Sequence, residues 1–300
     1  MIVFVYEDIC ANAAGGDDVS PPAASLLREG RAMLDAVTAD FRRLPRIEVK
    51  HAASSNDFIQ LAKIADYTLV IAPETGGRLE LLASEVFRVG GRLLGPSPDA
   101  IQLTSDKLLL SRHWEAKGVS TPRTWLLGEE SSEKAVVLKP RDGAGSQDMR
   151  LAKNLIVQQY VAGFAASVAF LVGPRAAIPL VPCAQQLSAD GRFQYEGGYL
   201  PIATDLANRT VQIAAHAIEC VPGLLGYVGV DVVLGDDGRD WAIEINPRLT
   251  TSYVGLRALA KFNIAEAMLA IARGDLPPAM NWDNVPIQFT PDGQLSPLAA

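Results

Sequence analysis

Two acidic residues and one carboxamide stand out late in the chain. They are Asp231 in Gly229-Val230-Asp231-Val232-Val233-Leu234, and Glu244 and Asn246 in Trp241-Ala242-Ile243-Glu244-Ile245-Asn246-Pro247-Arg248. Both segments are rich in β-branched residues, and Asp237-Gly238 between them is a favoured hairpin turn. A turn centred there sets Asp236 opposite Arg239 and, counting outward, Asp231 opposite Glu244. Directly opposed side chains share a face with Cβ atoms roughly 4.5–5.5 Å apart. Asn246, two residues on, lies on the same face as Glu244. The prediction is two carboxylates and an amide oxygen converging on one point. Facing carboxylates repel each other and lose hydration, and a hard cation removes both problems. A few oxygen ligands suit Mg²⁺, with Mn²⁺ as the alternative ion, because Mg²⁺ keeps several waters and is commonly shared with substrate phosphates. The same pattern also fits the opposite facing, with Val230, Val232, Leu234, Ile243 and Ile245 buried and the acids in solvent. Pro247 closes the second strand and sets the fixed cation Arg248 just beyond it; the plain alternative for Arg248 is a surface ion pair.

A second set of residues suits phosphate. Asp106-Lys107 opens a helix, and Lys139-Pro140 ends a strand that runs into Arg141-Asp142-Gly143-Ala144-Gly145-Ser146. An ammonium is a compact donor for phosphate, and glycines let successive backbone N–H groups approach an anion. No Gly-Lys-Ser/Thr follows, so this is not a Walker A loop, and the third glycine of a dinucleotide fingerprint is missing. Taken singly, such a loop is also a common hairpin turn, and lysines are commonly solvated. The stretch Gln158-Gln159-Tyr160-Val161-Ala162-Gly163 reads either as a strand ending at glycine or as a segment offering backbone groups to a purine edge.

The elements that must position these groups follow from periodicity. Residues 2–6, 47–49 and 67–72 read as strands, and 23–42, 57–64 (capped by Asn56) and 78–90 as helices. This alternation predicts a small parallel sheet with covering helices. Gly95-Pro96-Ser97-Pro98 is a breaker cluster. A helix is expected over 104–117, strands over 136–140 and 155–161, and an antiparallel sheet from about 166 to 199. Helices over 205–220 and 263–273 flank the hairpin, and the tail after Pro277 is expected to wind irregularly over the surface. The expected division is 1–97, 98–157 and 158–300.

The chain has 300 residues, 49% of them apolar and 20% charged, which is ordinary for a globular enzyme. A net charge of -7 leaves no basic surface for a nucleic acid. The isolated Cys10, Cys183 and Cys220 fit reduced thiols rather than a disulfide framework, and a cytoplasmic location is expected.

In order, Asp106-Lys107, Lys139-Pro140 with Gly143-Ala144-Gly145-Ser146, Gln158-Gln159-Tyr160-Val161-Ala162-Gly163, Gly229-Val230-Asp231 and Glu244-Ile245-Asn246-Pro247-Arg248 resemble the ATP-grasp superfamily. The resemblance covers roughly 95–275. It implies mixed α/β and α+β architecture: an N-terminal parallel βαβ domain, a small lid subdomain, and a C-terminal antiparallel-sheet subdomain with the metal site. It further implies ATP between two subdomains. Lys107 and Lys139 would contact its phosphates or the adenine pocket, and Gly143, Ala144, Gly145 and Ser146 would close over the phosphates. Gln158, Gln159, Tyr160 and Val161 would form the adenine hinge. Asp231, Glu244 and Asn246 would hold Mg²⁺, and Lys139 and Arg248 would be the catalytic pair. The segment after Gly163 lacks the acidic residue that many such enzymes use for ribose, leaving Gln159 or Ser167 as substitutes.

A narrower resemblance rests on Ser25-Leu26-Leu27-Arg28-Glu29-Gly30-Arg31-Ala32-Met33-Leu34 and Ile71-Ala72-Pro73-Glu74-Thr75, which look like the tyramine–glutamate ligases of methanofuran synthesis, a part of one-carbon metabolism. It implies an ATP-dependent ligase that joins a carboxylate, such as the glutamate γ-carboxyl, to an amine such as tyramine or tyrosine, releasing ADP and phosphate. Small-molecule substrates are the expected partners, with a homodimer left open. A phosphotransferase and a non-catalytic nucleotide-binding module are the rival functions, and no residue is identified as the base for the amine.

Overall fold

The opening run Ile2–Glu7 pairs in parallel with the buried apolar strand Tyr67–Ile71 on one side and with the short, partly exposed Glu48–Lys50 on the other, so its own buried faces need covering helices. The computed structural model describes residues 1–13, 24–52, 54–129, 132–143 and 155–298. In chain order the elements are β1 (Ile2–Glu7), α1 (Asp8–Ala13), α2 (Ala24–Arg42), β2 (Glu48–Lys50), α3 (Phe58–Ile64), β3 (Tyr67–Ile71), α4 (Arg78–Arg88), α5 (Pro98–Ser105) and α6 (Lys107–Lys117). Then follow β4 (Thr124–Leu126), β5 (Val136–Pro140), β6 (Leu155–Gln159), β7 (Phe164–Val172), β8 (Ala177–Pro179), β9 (Cys183–Leu187) and β10 (Tyr195–Leu200). The chain closes with α7 (Thr204–Glu219), β11 (Gly226–Leu234), β12 (Asp240–Asn246), α8 (Ser252–Leu259), α9 (Ile264–Ala272), β13 (Ile287–Phe289) and β14 (Leu295–Pro297).

Among the described residues the strands form three sheets. The first is parallel with strand order β2-β1-β3, as the βαβ alternation predicts. The second is small and antiparallel, β4-β6-β5. The third has eight strands, antiparallel along β12-β11-β7-β9-β10-β13-β14, with β8 beside β7. Among the described residues, no helix is long and apolar enough to cross a membrane.

Four local expectations need correcting. The helix over 104–117 is two helices broken at Asp106, whose carboxylate accepts from the backbone N–H groups of Leu108 and Leu109 and so caps α6. The first turn after residue 54 is capped by Ser54 rather than Asn56. The helices α1 and α8 were not expected from periodicity. The tail does not wind irregularly: β13 and β14 extend the large sheet from β10.

One apolar core joins the first sheet to the third. Val3 and Val5 of β1, Met33, Val37 and Phe41 of α2, Tyr253 and Leu256 of α8, and Met268 of α9 are buried together with Leu171 and Tyr227 of the large sheet. Full burial of a side chain of this size stabilises by roughly 1.5–3 kcal/mol. Buried Asp40 of α2 sharpens the fit. It accepts from Tyr253 Oη at 2.8 Å and Arg257 Nη2 at 2.8 Å, while its carbonyl accepts from Asn263 Nδ2 at 2.8 Å. The loops at the C-terminal ends of β1 and β3 are therefore held in a fixed relation to β11 and β12.

Candidate active site

The β11–β12 hairpin places its acids as predicted, but by another route. Near the turn the register is Leu234 opposite Asp240, Val233 opposite Trp241 and Val232 opposite Ala242. That is one residue off the expected count, because the loop closes on Gly235 N–H to Arg239 carbonyl at 2.8 Å rather than on a two-residue turn. A bulge between Asp231 and Val232 then takes up the extra residue, so Asp231 still faces Glu244 and Gly229 faces Asn246. Val230, Val232, Leu234, Ala242 and Ile245 are buried on one face against α7 and its neighbours. Ile243, expected there, is only partly buried. Asp231, Glu244 and Asn246 occupy the other face, which is a cleft facing Lys107 and Lys139 rather than open solvent.

The electrostatics of that face are unbalanced. Asn246 Nδ2 donates to Asp231 Oδ2 at 3.2 Å, and Ser167 of β7 lies opposite Asp231 on its other side. Burial, then the charge of Glu244, push the Asp231 carboxyl up to about 7. Burial also pushes Glu244 up, but Lys107 and Lys139 outweigh it and hold that carboxyl below its usual range. Lys107 Nζ stands 3.5 Å from Glu244 Oε2. Among the described residues no three His, Cys, Asp or Glu side chains gather into a cluster that could hold a metal alone. Two carboxylates and one amide oxygen instead leave most coordination positions to water and phosphate, which fits Mg²⁺.

The lysines are positioned by short-range straps. Arg141 clasps Asp106 with Nε–Oδ2 2.9 Å and Nη2–Oδ2 2.7 Å, and Lys107 N–H donates to the Arg141 carbonyl at 3.0 Å. The end of β5 is thus laid against the start of α6. Lys107 Nζ donates to the Gly143 carbonyl at 2.7 Å. Gly143 has φ +107° and lies so close to Thr75 that a Cβ would stand 2.6 Å from Thr75 Oγ1. Lys139 Nζ donates to Gln158 Oε1 at 2.8 Å, and burial holds its ammonium below the usual lysine range despite Glu244 and Asp231. Ala144, Gly145 and Ser146 lie outside the described residues.

The expected hinge is not uniform. Gln158 is buried, bonded to Lys139 and, through Nε2, to Thr124 Oγ1 at 3.1 Å. Gln159 N–H donates to the Arg123 carbonyl at 2.8 Å, and Tyr160 N–H to that of Ala135 at 3.0 Å. Those two N–H groups are already committed. Tyr160 is 43% exposed, and Val161 is partly buried. Gly163, at φ +155°, crosses so near Leu234 that a Cβ would overlap its carbonyl oxygen.

Arg248 brings in a residue that sequence reasoning did not assign. Its Nε donates to Glu74 Oε1 at 2.8 Å and its Nη2 to Glu74 Oε2 at 3.2 Å, with the side chains 12% and 6% exposed. Nη1 donates to the Leu249 carbonyl at 3.2 Å. Arg248 is therefore no surface ion pair. Glu74 follows β3 in Pro73-Glu74-Thr75, and only its place after a buried strand hinted at a role.

The sequence matches the ATP-grasp domain over residues 104–252 and the pre ATP-grasp 3 domain over 27–101. It is 32% identical to the tyramine–L-glutamate ligase of Methanocaldococcus fervens over 241 residues, covering 79% of this chain and 77% of that protein. It is 26% identical to the D-alanine–D-alanine ligase of Bordetella petrii over 65% of this chain and 69% of the relative. Among solved structures, a protein assigned to the ATP-grasp superfamily from Archaeoglobus fulgidus superposes with TM-score 0.79 at 26% identity, covering 97% of this chain and 92% of that one.

Proposed function

This chain belongs to the ATP-grasp superfamily, in the family of the tyramine–L-glutamate ligases, and from that premise we propose that it joins the γ-carboxyl of glutamate to an aromatic amine such as tyramine through an acyl phosphate. It is an ATP-dependent carboxylate–amine ligase, as its tyramine–glutamate and D-alanine–D-alanine ligase relatives indicate. The observation that carries the residue assignment is the convergence of Asp231, Glu244, Lys107 and Lys139 on one cleft.

Each group has a role in this reading. The substrate carboxylate attacks the γ-phosphorus of ATP, giving acyl phosphate and ADP. Lys139 and Lys107 offset phosphate charge, and preorganised cations of this kind supply most of the catalysis in phosphoryl transfer. Asp231, Glu244 and Asn246 would hold Mg²⁺, which when bound spreads the charge of the phosphates. Arg248, fixed by Glu74, steadies the activated carboxylate. The amine nitrogen then forms the C–N bond as the C–O bond to phosphate breaks and the amine loses its proton. Gln158 fixes the head of Lys139, and the neighbouring residues 159–161 border the adenine.

A ligase releases ADP only when acid and amine are both supplied. The purified chain with Mg-ATP, L-glutamate and tyramine is expected to release ADP and form one amide per ADP. Stoichiometric phosphorylation of one substrate without the other would make the chain a phosphotransferase instead. ATP binding with no ADP release against any acid–amine pair would leave only a nucleotide-binding module.

A further inference from the structure

A cavity of about 360 Å³ opens between β1, α1 and α2, a size within the range of small-molecule sites. None of its lining residues belongs to the Asp231, Glu244, Lys107 and Lys139 set or to the Glu74–Arg248 pair. It exists because β2 is short. The pairing of β1 with β2 stops at Phe4 and Lys50, while β1 runs on to Glu7 beside β3. Beyond that point His51 takes the place of a strand, and its Nδ1 donates to the Val5 carbonyl at 3.3 Å. Burial holds the imidazole below its usual pKa, so near pH 7 it is neutral. Its Nε2 is therefore left as an acceptor, 3.5 Å from Thr38 Oγ1.

Glu7 forms the floor. It is 4% exposed, and its Oε2 accepts from the Cys10 backbone N–H at 2.6 Å. Gly30 of α2 makes room for it: a Cβ there would stand 2.6 Å from the carboxyl carbon and 2.7 Å from each oxygen. Among the described residues no cation pairs with this carboxylate. The wall and rim come from α2. Arg31, Asp35, Thr38 and Arg42 recur at helical spacing on the face that lines the cavity. Thr38 is buried, while the other three reach toward solvent. Among the described residues no hydrogen bond or ion pair engages the Arg31 or Arg42 guanidinium.

We propose that this cavity binds a dicarboxylic amino acid, its ammonium on Glu7 and its carboxylates on Arg31 and Arg42. The floor presents acceptors, the Glu7 carboxylate and His51 Nε2. A desolvated carboxylate without a cation is costly, and an ammonium with three N–H donors supplies what it lacks. The rim carries the opposite sign at each end. Arg31 and Arg42 stand about 16 Å apart along α2 at about 1.5 Å per residue, so each guanidinium suits an anion of its own. Asp35, between them on the same face, and Glu7 beneath oppose a polyanion such as a nucleotide. The site stands apart from the ligase reading, and only the choice of L-glutamate as the probe rests on it.

The test is calorimetric titration of the full, nucleotide-free chain with L-glutamate and with glutarate, which lacks the ammonium. L-Glutamate is expected to bind, and glutarate at least about tenfold more weakly, as loss of a charge-assisted hydrogen bond requires. Glu7→Gln, and separately Arg31→Gln at the exposed rim, should each weaken L-glutamate by at least about tenfold. The rise in melting temperature given by Mg-ATP should stay as in wild type in both, which shows that they fold. In ADP release with tyramine, a glutamate KM that rises in step with the titrated Kd makes the bound amino acid the ligase's own acid. A KM that stays put makes it an effector held outside the reaction, and both outcomes support the site. No binding of L-glutamate without nucleotide, an unchanged Kd in either variant, or glutarate binding as tightly as L-glutamate would overturn the proposal. The titration needs no turnover, so a chain that releases no ADP with any acid–amine pair removes the ligase reading and leaves the cavity to be judged by binding alone.

Discussion

Glu74 and Arg248 are 174 residues apart in sequence and form a two-pronged, almost fully buried ion pair. The pair ties the loop after β3 to the segment just beyond β12. The guanidinium assigned to the activated carboxylate is thereby oriented by a group from the N-terminal sheet. Burying two charges is costly, and it is tolerated where the geometry is good and the remaining N–H groups are satisfied, as the Leu249 carbonyl does here.

Glu74→Gln should therefore be damaging beyond the loss of a contact. It leaves Arg248 charged and partly unpaired, at a cost on the order of 3–5 kcal/mol. The double variant Glu74→Gln/Arg248→Met should be more stable than Glu74→Gln alone, because no buried charge is stranded. Urea unfolding of the wild type, both single variants and the double variant gives the coupling directly. Additive effects would contradict a direct pairing.

Asp231→Asn and Glu244→Gln are expected to separate stability from activity. Asp231→Asn removes the carboxyl that burial and the Glu244 charge already disfavour, so its nucleotide-free form should melt no lower than wild type, whereas Glu244→Gln takes a partner from Lys107 and Lys139 and should melt lower. Turnover should fall by at least about 100-fold, the scale seen when one electrostatic stabiliser is removed. Mg-ATP at about 100 times its Kd should stabilise the wild type by about 2.7 kcal/mol, and either variant by much less. Thermal melts with and without Mg-ATP, and again with EDTA, make the comparison.

Gly163→Ala tests the crossing between the small and large sheets. The substitution sets a Cβ against the Leu234 carbonyl at a positive φ, where backbone strain costs roughly 1–3 kcal/mol. The strand β7 carries Ser167 beside Asp231, so a shift there should raise the KM for ATP as well as lower the melting temperature. A Gly128→Ala variant, at φ +102° but with nothing within 4 Å of its Cβ, controls for the positive-φ strain without the clash.

The pH dependence of Glu29 has a definite sign. Burial, opposed by Arg248 and Arg28, raises its carboxyl above the usual carboxylate value. The folded state then binds more protons than the unfolded state above that value, so this group's contribution to stability falls as pH rises through the folded pKa. Glu29→Gln removes the loss. Its melting temperature should exceed that of wild type at about pH 7.5, and the difference should vanish near pH 4, where the carboxyl is protonated in both states. A variant that melts lower at neutral pH would make Glu29 a structural residue.

The hairpin shows how a sequence expectation can reach the right pairing through the wrong turn. Counting from Asp237-Gly238 sets Asp231 opposite Glu244, and so does the fold, but only because a wider loop and a bulge offset each other. Alternation of buried Val230, Val232 and Leu234 made the face of Asp231 legible. The side occupied by that face was not legible, because a cleft and open solvent leave the same period-two pattern. Strands β13 and β14 escaped notice for a related reason. They are three residues each, too short for any periodicity, and pair because β10 offers an edge.

By itself the sequence determined the parallel opening sheet, the hairpin with its two acids and amide, and the lysines at a helix start and a strand end. Each depends on contacts between near neighbours, where spacing and turn chemistry decide geometry. Only the tertiary structure decided that Glu74 meets Arg248 across 174 residues and that Asp40 of α2 meets Tyr253 and Arg257 of α8. Those relations depend on how α2, α8 and α9 pack between two sheets, and a carboxylate's distant partner leaves no mark in its local pattern.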